Sequence, residues 1–184
     1  MYLFGFGSLI NIKSAQKSFK NRVLKQDDLV VVSLLGYKRV WNSIENVIFD
    51  TNEEKAVFLN IEEDKNSLIY GVVIKIDEDE FEVLKQREKN YSCIKIDAKA
   101  IKNLKLDGEI YAFMTTNEEK LAKKDDKDVV IPQKYIEILE EALENYDEDF
   151  KNNFKICLED FPFPIKKDNY IFSDPIQNKA SGRE

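Results

Sequence analysis

The stretch Leu3-Phe4-Gly5-Phe6-Gly7-Ser8 (LFGFGS) determines how the fold of this chain is predicted. Its first half is apolar and aromatic, as in a buried strand, and its second half is typical of a turn. Two glycines one residue apart let a backbone approach a ligand, and their N–H groups, with that of Ser8, can face a small anion. The third glycine of a dinucleotide fingerprint and the Gly-Lys-Ser/Thr ending of a P-loop are both missing. Glycine could equally serve only to relieve steric crowding at a strand end.

Composition predicts a globular chain with a single domain over residues 1–184. Hydrophobic residues make up 43% and charged residues 34%, and the net charge of −7 argues against nucleic acid or an anionic membrane as a partner. No apolar run is long enough to cross a bilayer, and the first residues lack the pattern of a signal peptide. Cys93 and Cys157 form no CxxC pair, which predicts free thiols in the cytoplasm.

The chain contains no histidine. This excludes a Ser-His-Asp triad, a Cys-His pair and every histidine-ligated metal site. A general base must then be Asp, Glu, Lys, Tyr or a thiolate.

Strand patterns come mostly first and helical patterns later. Strands are predicted at 2–6, 29–35, 37–41, 55–61, 68–76, 91–96 and 109–114, with a turn at Gly36 and a hairpin connection over 62–66. A helix over 77–85 would begin at the N-cap Asp77, with Glu80 completing a capping box. A helical part is expected from about residue 132 and a frayed terminus from about 178. This order favours an α+β fold, a small mixed, largely antiparallel barrel or sheet with flanking helices.

Two further groups of residues could take part in catalysis or ligand binding. Glu88, beside Arg87 near the predicted helix end, could face a pocket in which burial raises its pKa, or the two could form a solvated surface pair. The segment Gly36–Trp41 (GYKRVW) places a basic pair among aromatic residues, which could bind a carboxylate. It could equally be an amphipathic strand with Trp41 in the core.

Taken together, these segments resemble the γ-glutamylcyclotransferase superfamily, most closely its ChaC-like, glutathione-degrading branch. The order LFGFGSLIN, GYKRVW, LKQREKNY and EIYAF matches the FGYGSL turn, the GYRRxF segment and the RE-containing segment followed by Tyr of that family. The match covers about residues 2–114, and the helix containing Tyr135 resembles a later helix of the family more weakly.

The resemblance implies a cofactor-independent enzyme of lyase or transferase type that acts on a small γ-glutamyl compound. Glu88 would take a proton from the α-ammonium of the substrate, and the freed amine would attack the γ-carbonyl and release 5-oxoproline. The substrate would be bound by Leu3, Phe4, Gly5, Phe6, Gly7, Ser8, Arg39 and Tyr91. Nothing in the resemblance indicates an oligomeric state.

The sequence departs from the family pattern in three places. Phe6 stands where many members have Tyr, Lys38 replaces an Arg, and the connection Glu88–Tyr91 is shorter than in several relatives. A non-catalytic small-molecule binding module on the same fold is therefore an alternative. A third class, an interaction protein that uses an acidic helix over residues 137–149, rests on charge alone.

Overall fold

The computed structural model describes residues 1–182, which form strands and helices in a mixed order. The strands are β1 (Tyr2–Gly5), β2 (Val30–Phe49), β3 (Asn52–Lys75), β4 (Ser92–Ile96), β5 (Ile110–Met114), β6 (Val129–Pro132), β7 (Ile165–Lys166) and β8 (Tyr170–Phe172). The helices are α1 (Ile12–Gln16), α2 (Glu78–Arg87), α3 (Gln133–Leu143), α4 (Glu148–Lys155) and α5 (Pro175–Ala180). Single turns of 3₁₀ helix lie at Ser8–Ile10, Gln26–Asp28, Ala98–Ala100 and Glu118–Lys120.

The strands form one largely antiparallel sheet, in the order β4-β5-β1-β3-β2-β8. The pairs β1–β3, β2–β3, β2–β8 and β4–β5 are antiparallel, whereas β1–β5, β3–β6 and β6–β7 are parallel. The predicted α+β class is therefore confirmed, and the strand that leads into the glycine turn lies in the middle of the sheet.

The two longest strands correct the predicted boundaries. Gly36 does not open a turn between two strands, because β2 continues through it as an irregularity in the register with β3. Its φ of +93° is a conformation that glycine adopts without strain. Residues 62–66 likewise lie inside β3, and the connection between the two strands falls at Asp50 and Thr51 instead.

Apolar side chains pack on both faces of the sheet. Leu3 belongs to a large cluster that also includes Trp41, Phe58 and Leu139, while its neighbour Phe4 belongs to a second cluster on the other face. This alternation follows from the period of two residues in a strand. This alternation along β1 determines which side of the sheet the side chains of the following residues face.

Helix α2 begins as the sequence predicts. Asp77 accepts a hydrogen bond from the backbone N–H of Glu80, and the Glu80 carboxylate accepts one from the N–H of Asp77. The helix runs to Arg87, two residues beyond the predicted end, and Glu88 is its C-cap. This brings Glu88 back towards β1.

The C-terminal part differs from two of the predictions. Residues 137–149 do not form one acidic helix, because α3 ends at Leu143 and α4 begins at Glu148. The terminus is not frayed from residue 178, because α5 extends to Ala180 with Asp174 as its N-cap. Residues 183 and 184 lie outside the described part of the chain. No helix within residues 1–182 has the length and apolar character needed to span a bilayer.

Candidate active site

A pocket opens where β1 ends, and it contains about 800 Å³ of empty space including its mouth. Residues from β1 and its turn, α1, α2 and α5 supply its polar side, and aromatic side chains supply much of the rest. Its wall includes Phe4, Gly5, Phe6, Gly7, Ser8, Ser14, Lys17, Phe58, Arg87, Glu88, Tyr91, Phe113, Tyr135, Tyr170, Phe172, Gln177 and Ser181.

The glycine turn, defined here as residues Leu3–Ser8, approaches a tyrosine closely at Gly7. A Cβ atom at this position would lie 2.7 Å from the hydroxyl oxygen of Tyr135, so only glycine fits without displacing the ring. The backbone N–H of Ser8 faces the same hydroxyl. Among the described residues, the backbone N–H of Gly7 has no hydrogen-bond partner, which leaves it available to a ligand.

Arg87 connects the end of α2 to the turn and to α1. Its guanidinium is only 6% exposed, and it donates to the carbonyl oxygen and hydroxyl of Ser14 and to the hydroxyls of Ser8 and Ser18, over 2.9–3.2 Å. Its Nε lies 3.1 Å from Oε1 of Glu88. The cation is therefore buried with its donors satisfied, and it holds Ser8 and Glu88 on the same side of the pocket.

Glu88 presents a partly buried carboxylate to the pocket. Its side chain is 18% exposed, and burial raises its pKa above the ordinary glutamate value, against the opposing effect of Arg87. A carboxylate with a raised pKa that faces a pocket can act as a general base.

Two tyrosines extend this polar region. Burial and the charges of Glu45 and Glu88 raise the pKa of Tyr91 well above its usual value, and the Ser43 hydroxyl is within hydrogen-bonding reach of it. Burial also raises the pKa of Tyr135, with Glu88 contributing. Both hydroxyls therefore stay protonated and can donate hydrogen bonds within the pocket.

The structure brings most of the predicted site residues to this pocket. Phe4, Gly5, Phe6, Gly7, Ser8, Glu88 and Tyr91 all line it. Leu3 and Arg39 are absent from the described lining. Leu3 is fully buried in the cluster that also contains Phe58 and Tyr135.

Arg39 contacts the backbone of the turn without belonging to the described pocket lining. Its Nε donates to the carbonyl oxygen of Phe6 at 3.2 Å, its guanidinium also donates to the carbonyl oxygen of Tyr70, and it stacks over the ring of Phe154. These bonds fasten the turn to β3 and α4, so direct substrate binding by Arg39 is not supported by its position. Trp41, in the same segment, lies in the core, as the second interpretation of that segment predicted.

Several residues at the site could not have been singled out from the sequence. They are Ser14, Glu45, Asn90, Tyr135 and Gln177, which lie far apart along the chain. The helical spacing around Tyr135 predicted only that this residue would be buried. No local signal distinguishes the others, because single Ser, Glu, Asn and Gln residues are common on any surface.

Comparison with solved structures identifies this arrangement as the γ-glutamyl cyclotransferase fold, so the fold implied by the four motifs is confirmed. A protein named gamma-glutamyl cyclotransferase aligns over 99% of this chain and 98% of its own, with 12% identity and a TM-score of 0.59. A yeast gamma-glutamyl cyclotransferase specific to glutathione aligns over 86% of this chain and 96% of its own, with 12% identity and a TM-score of 0.54.

YkqA from Bacillus subtilis aligns over 89% of this chain with 19% identity and a TM-score of 0.61, and this chain spans only 55% of its length. No protein-family model and no curated protein matches this chain in sequence. Identities of 12–19% establish a shared fold and leave the ChaC-like branch as a prediction.

Proposed function

We propose that this protein is a γ-glutamylcyclotransferase in which Glu88 is the general base. The observation that carries the proposal is the placement of a carboxylate with a raised pKa beside the glycine turn, in one pocket that both of them line. The fold shared with two proteins named gamma-glutamyl cyclotransferases supports the same activity.

The reaction needs one group that accepts and returns protons. Glu88 takes a proton from the α-ammonium of the γ-glutamyl substrate, and the free amine attacks the γ-carbonyl carbon. As the bond from that carbon to the leaving nitrogen breaks, Glu88 passes its proton to the departing amine or dipeptide. Glu88 then takes the second proton from the ring nitrogen, which leaves neutral 5-oxoproline, and returns it to the released amine. The ring closes by an intramolecular step, so the protein's main tasks are to orient the substrate and to move these two protons.

The glycine turn supplies the other half of the proposal. The unpartnered N–H of Gly7 and the buried Arg87 beside it make this side of the pocket favourable for the carboxylate of a γ-glutamyl group. The aromatic wall, including Phe58, Phe113 and Tyr170, would pack against the carbon chain of the substrate. We further propose that the protein acts on this small substrate in the cytoplasm, without a metal or a cofactor.

A non-catalytic binding module is the second candidate, and Phe6 is the observation that favours it. Where many relatives carry a tyrosine hydroxyl, the Phe6 ring here packs near that of Phe4 in an apolar cluster. A protein of this fold that has lost catalytic activity would bind a γ-glutamyl compound or 5-oxoproline without turnover.

The test is 5-oxoproline release from glutathione, γ-glutamyl dipeptides and γ-glutamyl amines, measured on the wild type, Glu88→Gln and Glu82→Gln. Glu82 is a matched control, because it lies on the same helix in an exposed pair with Lys85. We expect turnover of at least one substrate, a loss of about 10²–10⁴-fold in Glu88→Gln, and no change in Glu82→Gln. Full turnover by Glu88→Gln would exclude the mechanism, and binding without turnover by the wild type would favour the module.

A further inference from the structure

Glu45 is a buried acidic residue that the proposed reaction does not use. It lies near the C-terminal end of β2, 4% exposed, on the same face of the strand as Ser43, Val47 and Phe49, which are also buried. Acidic residues are almost never this buried without a partner, so its interactions need an explanation.

The partner of Glu45 is Asn90, two residues after Glu88. Nδ2 of Asn90 donates to Oε2 of Glu45 at 2.7 Å and to Oε1 of Gln177 at 3.1 Å. Gln177, on α5, is 3% exposed and lines the pocket. One asparagine side chain thus joins β2 and α5 at the segment that carries Glu88.

The backbone around Asn90 is short and well fastened. The N–H of Tyr91 donates to the carbonyl oxygen of Glu88 at 2.8 Å, and Lys89 pairs with Asp174 at the start of α5. A displacement of Asn90 therefore changes the position of Glu88. Displacements of about 1 Å at a catalytic group can cost about 10²-fold in rate.

We propose that Glu45 is a positioning residue for Glu88, which it holds in place by accepting a hydrogen bond from Asn90. The inference rests on the proposed role of Glu88. Glu45 itself is not among the described residues of the pocket lining, so it acts through Asn90 and not on the substrate.

Glu88 also affects Glu45 through its charge. The titratable groups that face Glu45 come from several elements: Glu88, Tyr91, Lys120 and Asp174. Burial raises the pKa of Glu45 to about 7, and the negative charges of Glu88 and Asp174 add to this rise. Removing the charge of Glu88 should therefore make Glu45 lose its proton at lower pH.

The kinetic test compares Glu45→Met, Glu45→Gln, Asn90→Ala and the double variant Glu45→Met/Asn90→Ala with the wild type, with circular dichroism to verify folding. Methionine has a similar size and no acceptor oxygen, whereas glutamine keeps an acceptor oxygen for Asn90. For Glu45→Met we expect kcat to fall about 10- to 100-fold with KM nearly unchanged, and Glu45→Gln should retain most of the activity. The double variant should be no slower than Asn90→Ala alone. An unchanged kcat in Glu45→Met, or losses that multiply in the double variant, would overturn the proposal.

A second readout needs no turnover. The Glu45 carboxyl is titrated by ¹³C NMR in the wild type, Glu88→Gln and the exposed control Glu82→Gln. We expect the midpoint for Glu45 to fall in Glu88→Gln and to stay in place in the control, and an unchanged midpoint in Glu88→Gln would contradict the coupling of Glu45 to the Glu88 segment. If the wild type turns over no γ-glutamyl compound, the proposed function fails while this titration still decides the interaction between the two carboxylates.

Discussion

The two halves of the site are held in place by different forces. The glycine turn, Leu3–Ser8, is held mainly by apolar packing on both faces of β1 and by the close approach of Gly7 to Tyr135, with a hydrogen bond from Arg39 to the carbonyl oxygen of Phe6. The Glu88 segment, defined as Arg87–Tyr91, is held by polar side chains, with Arg87 bonded to α1, Lys89 paired with α5 and Asn90 bonded to β2. The first half depends mainly on shape and the second mainly on charge and hydrogen bonds.

This difference has a consequence for stability. Packing responds weakly to pH, whereas a buried polar network responds to the loss of a single partner by leaving the others unsatisfied. We expect substitutions in the Glu88 segment and its partners to have the larger effects and to depend on pH. Substitutions in the turn should have smaller effects that do not depend on pH.

The largest effect on stability is expected for Arg87→Met. The change removes a buried cation that bonds to three serines and Glu88, and it leaves those groups unpaired. Breaking a buried charged network of this kind costs about 3–5 kcal/mol. Urea unfolding measures the loss, with the exposed Lys20→Met as control, and a cost as small as that of the control would show that the network contributes little.

The next largest effect is the pH dependence of Glu45→Gln. The folded pKa of Glu45, about 7, lies above the ordinary 4.5, so the folded state binds the proton more tightly. The stability associated with this proton is complete below about pH 4.5 and is lost as the pH rises through 7. By linkage the loss amounts to about 3 kcal/mol, and the glutamine variant should not show it.

Chemical denaturation at pH 5 and pH 8 measures this difference. We expect the free energy of unfolding of the wild type to fall between these pH values by about 2 kcal/mol more than that of Glu45→Gln. Parallel changes in the two proteins would mean that Glu45 titrates normally.

Gly7→Ala tests the packing half of the site. The new methyl group would lie 2.7 Å from the Tyr135 hydroxyl, and overpacking of this kind costs about 1–3 kcal/mol. Removing the hydroxyl in Gly7→Ala/Tyr135→Phe should restore part of the loss at every pH. Gly108→Ala is the control, because its Cβ would meet the Tyr2 ring at an ordinary 3.4 Å. A loss that Tyr135→Phe leaves unchanged would mean that another contact limits the turn.

The smallest effect is expected for Phe6→Tyr, which restores the hydroxyl of many relatives. The Phe6 ring is buried in the cluster with Phe4, so the added hydroxyl should cost about 1 kcal/mol of stability. We expect kcat/KM to change by less than about threefold, since Glu88 and the backbone of the turn are unaltered. A large gain in 5-oxoproline release would show that the missing hydroxyl limits the reaction.

The same difference explains what could be predicted from the sequence. The turn, the capping box at Asp77 and the burial of Trp41 depend on neighbouring residues, so local patterns predicted them. The continuity of β2 through Gly36 and of β3 through residues 62–66 depends on pairing between the two strands, which a pattern along one strand does not contain.

The partners of the Glu88 segment could not be predicted for a related reason. Glu45 and Gln177 lie 45 and 87 residues away from Asn90, and neither belongs to a motif. The position of Arg39 could not be predicted for a similar reason, because only the folded chain shows its guanidinium bonded to the carbonyl oxygen of Phe6. Sequence motifs thus predict the residues that line a site better than the distant residues that hold them in place.

The central claim is that the glycine turn binds the substrate and Glu88 performs the chemistry. The most direct test of this claim is to measure binding and turnover of the same γ-glutamyl substrate with Glu88→Gln. Calorimetry gives the dissociation constant, and 5-oxoproline release gives the rate. If the turn binds and Glu88 does the chemistry, the variant binds the substrate within a few-fold of the wild type and loses turnover by about 10²–10⁴-fold. Turnover that persists in Glu88→Gln, or substrate binding that disappears together with turnover, would contradict the account.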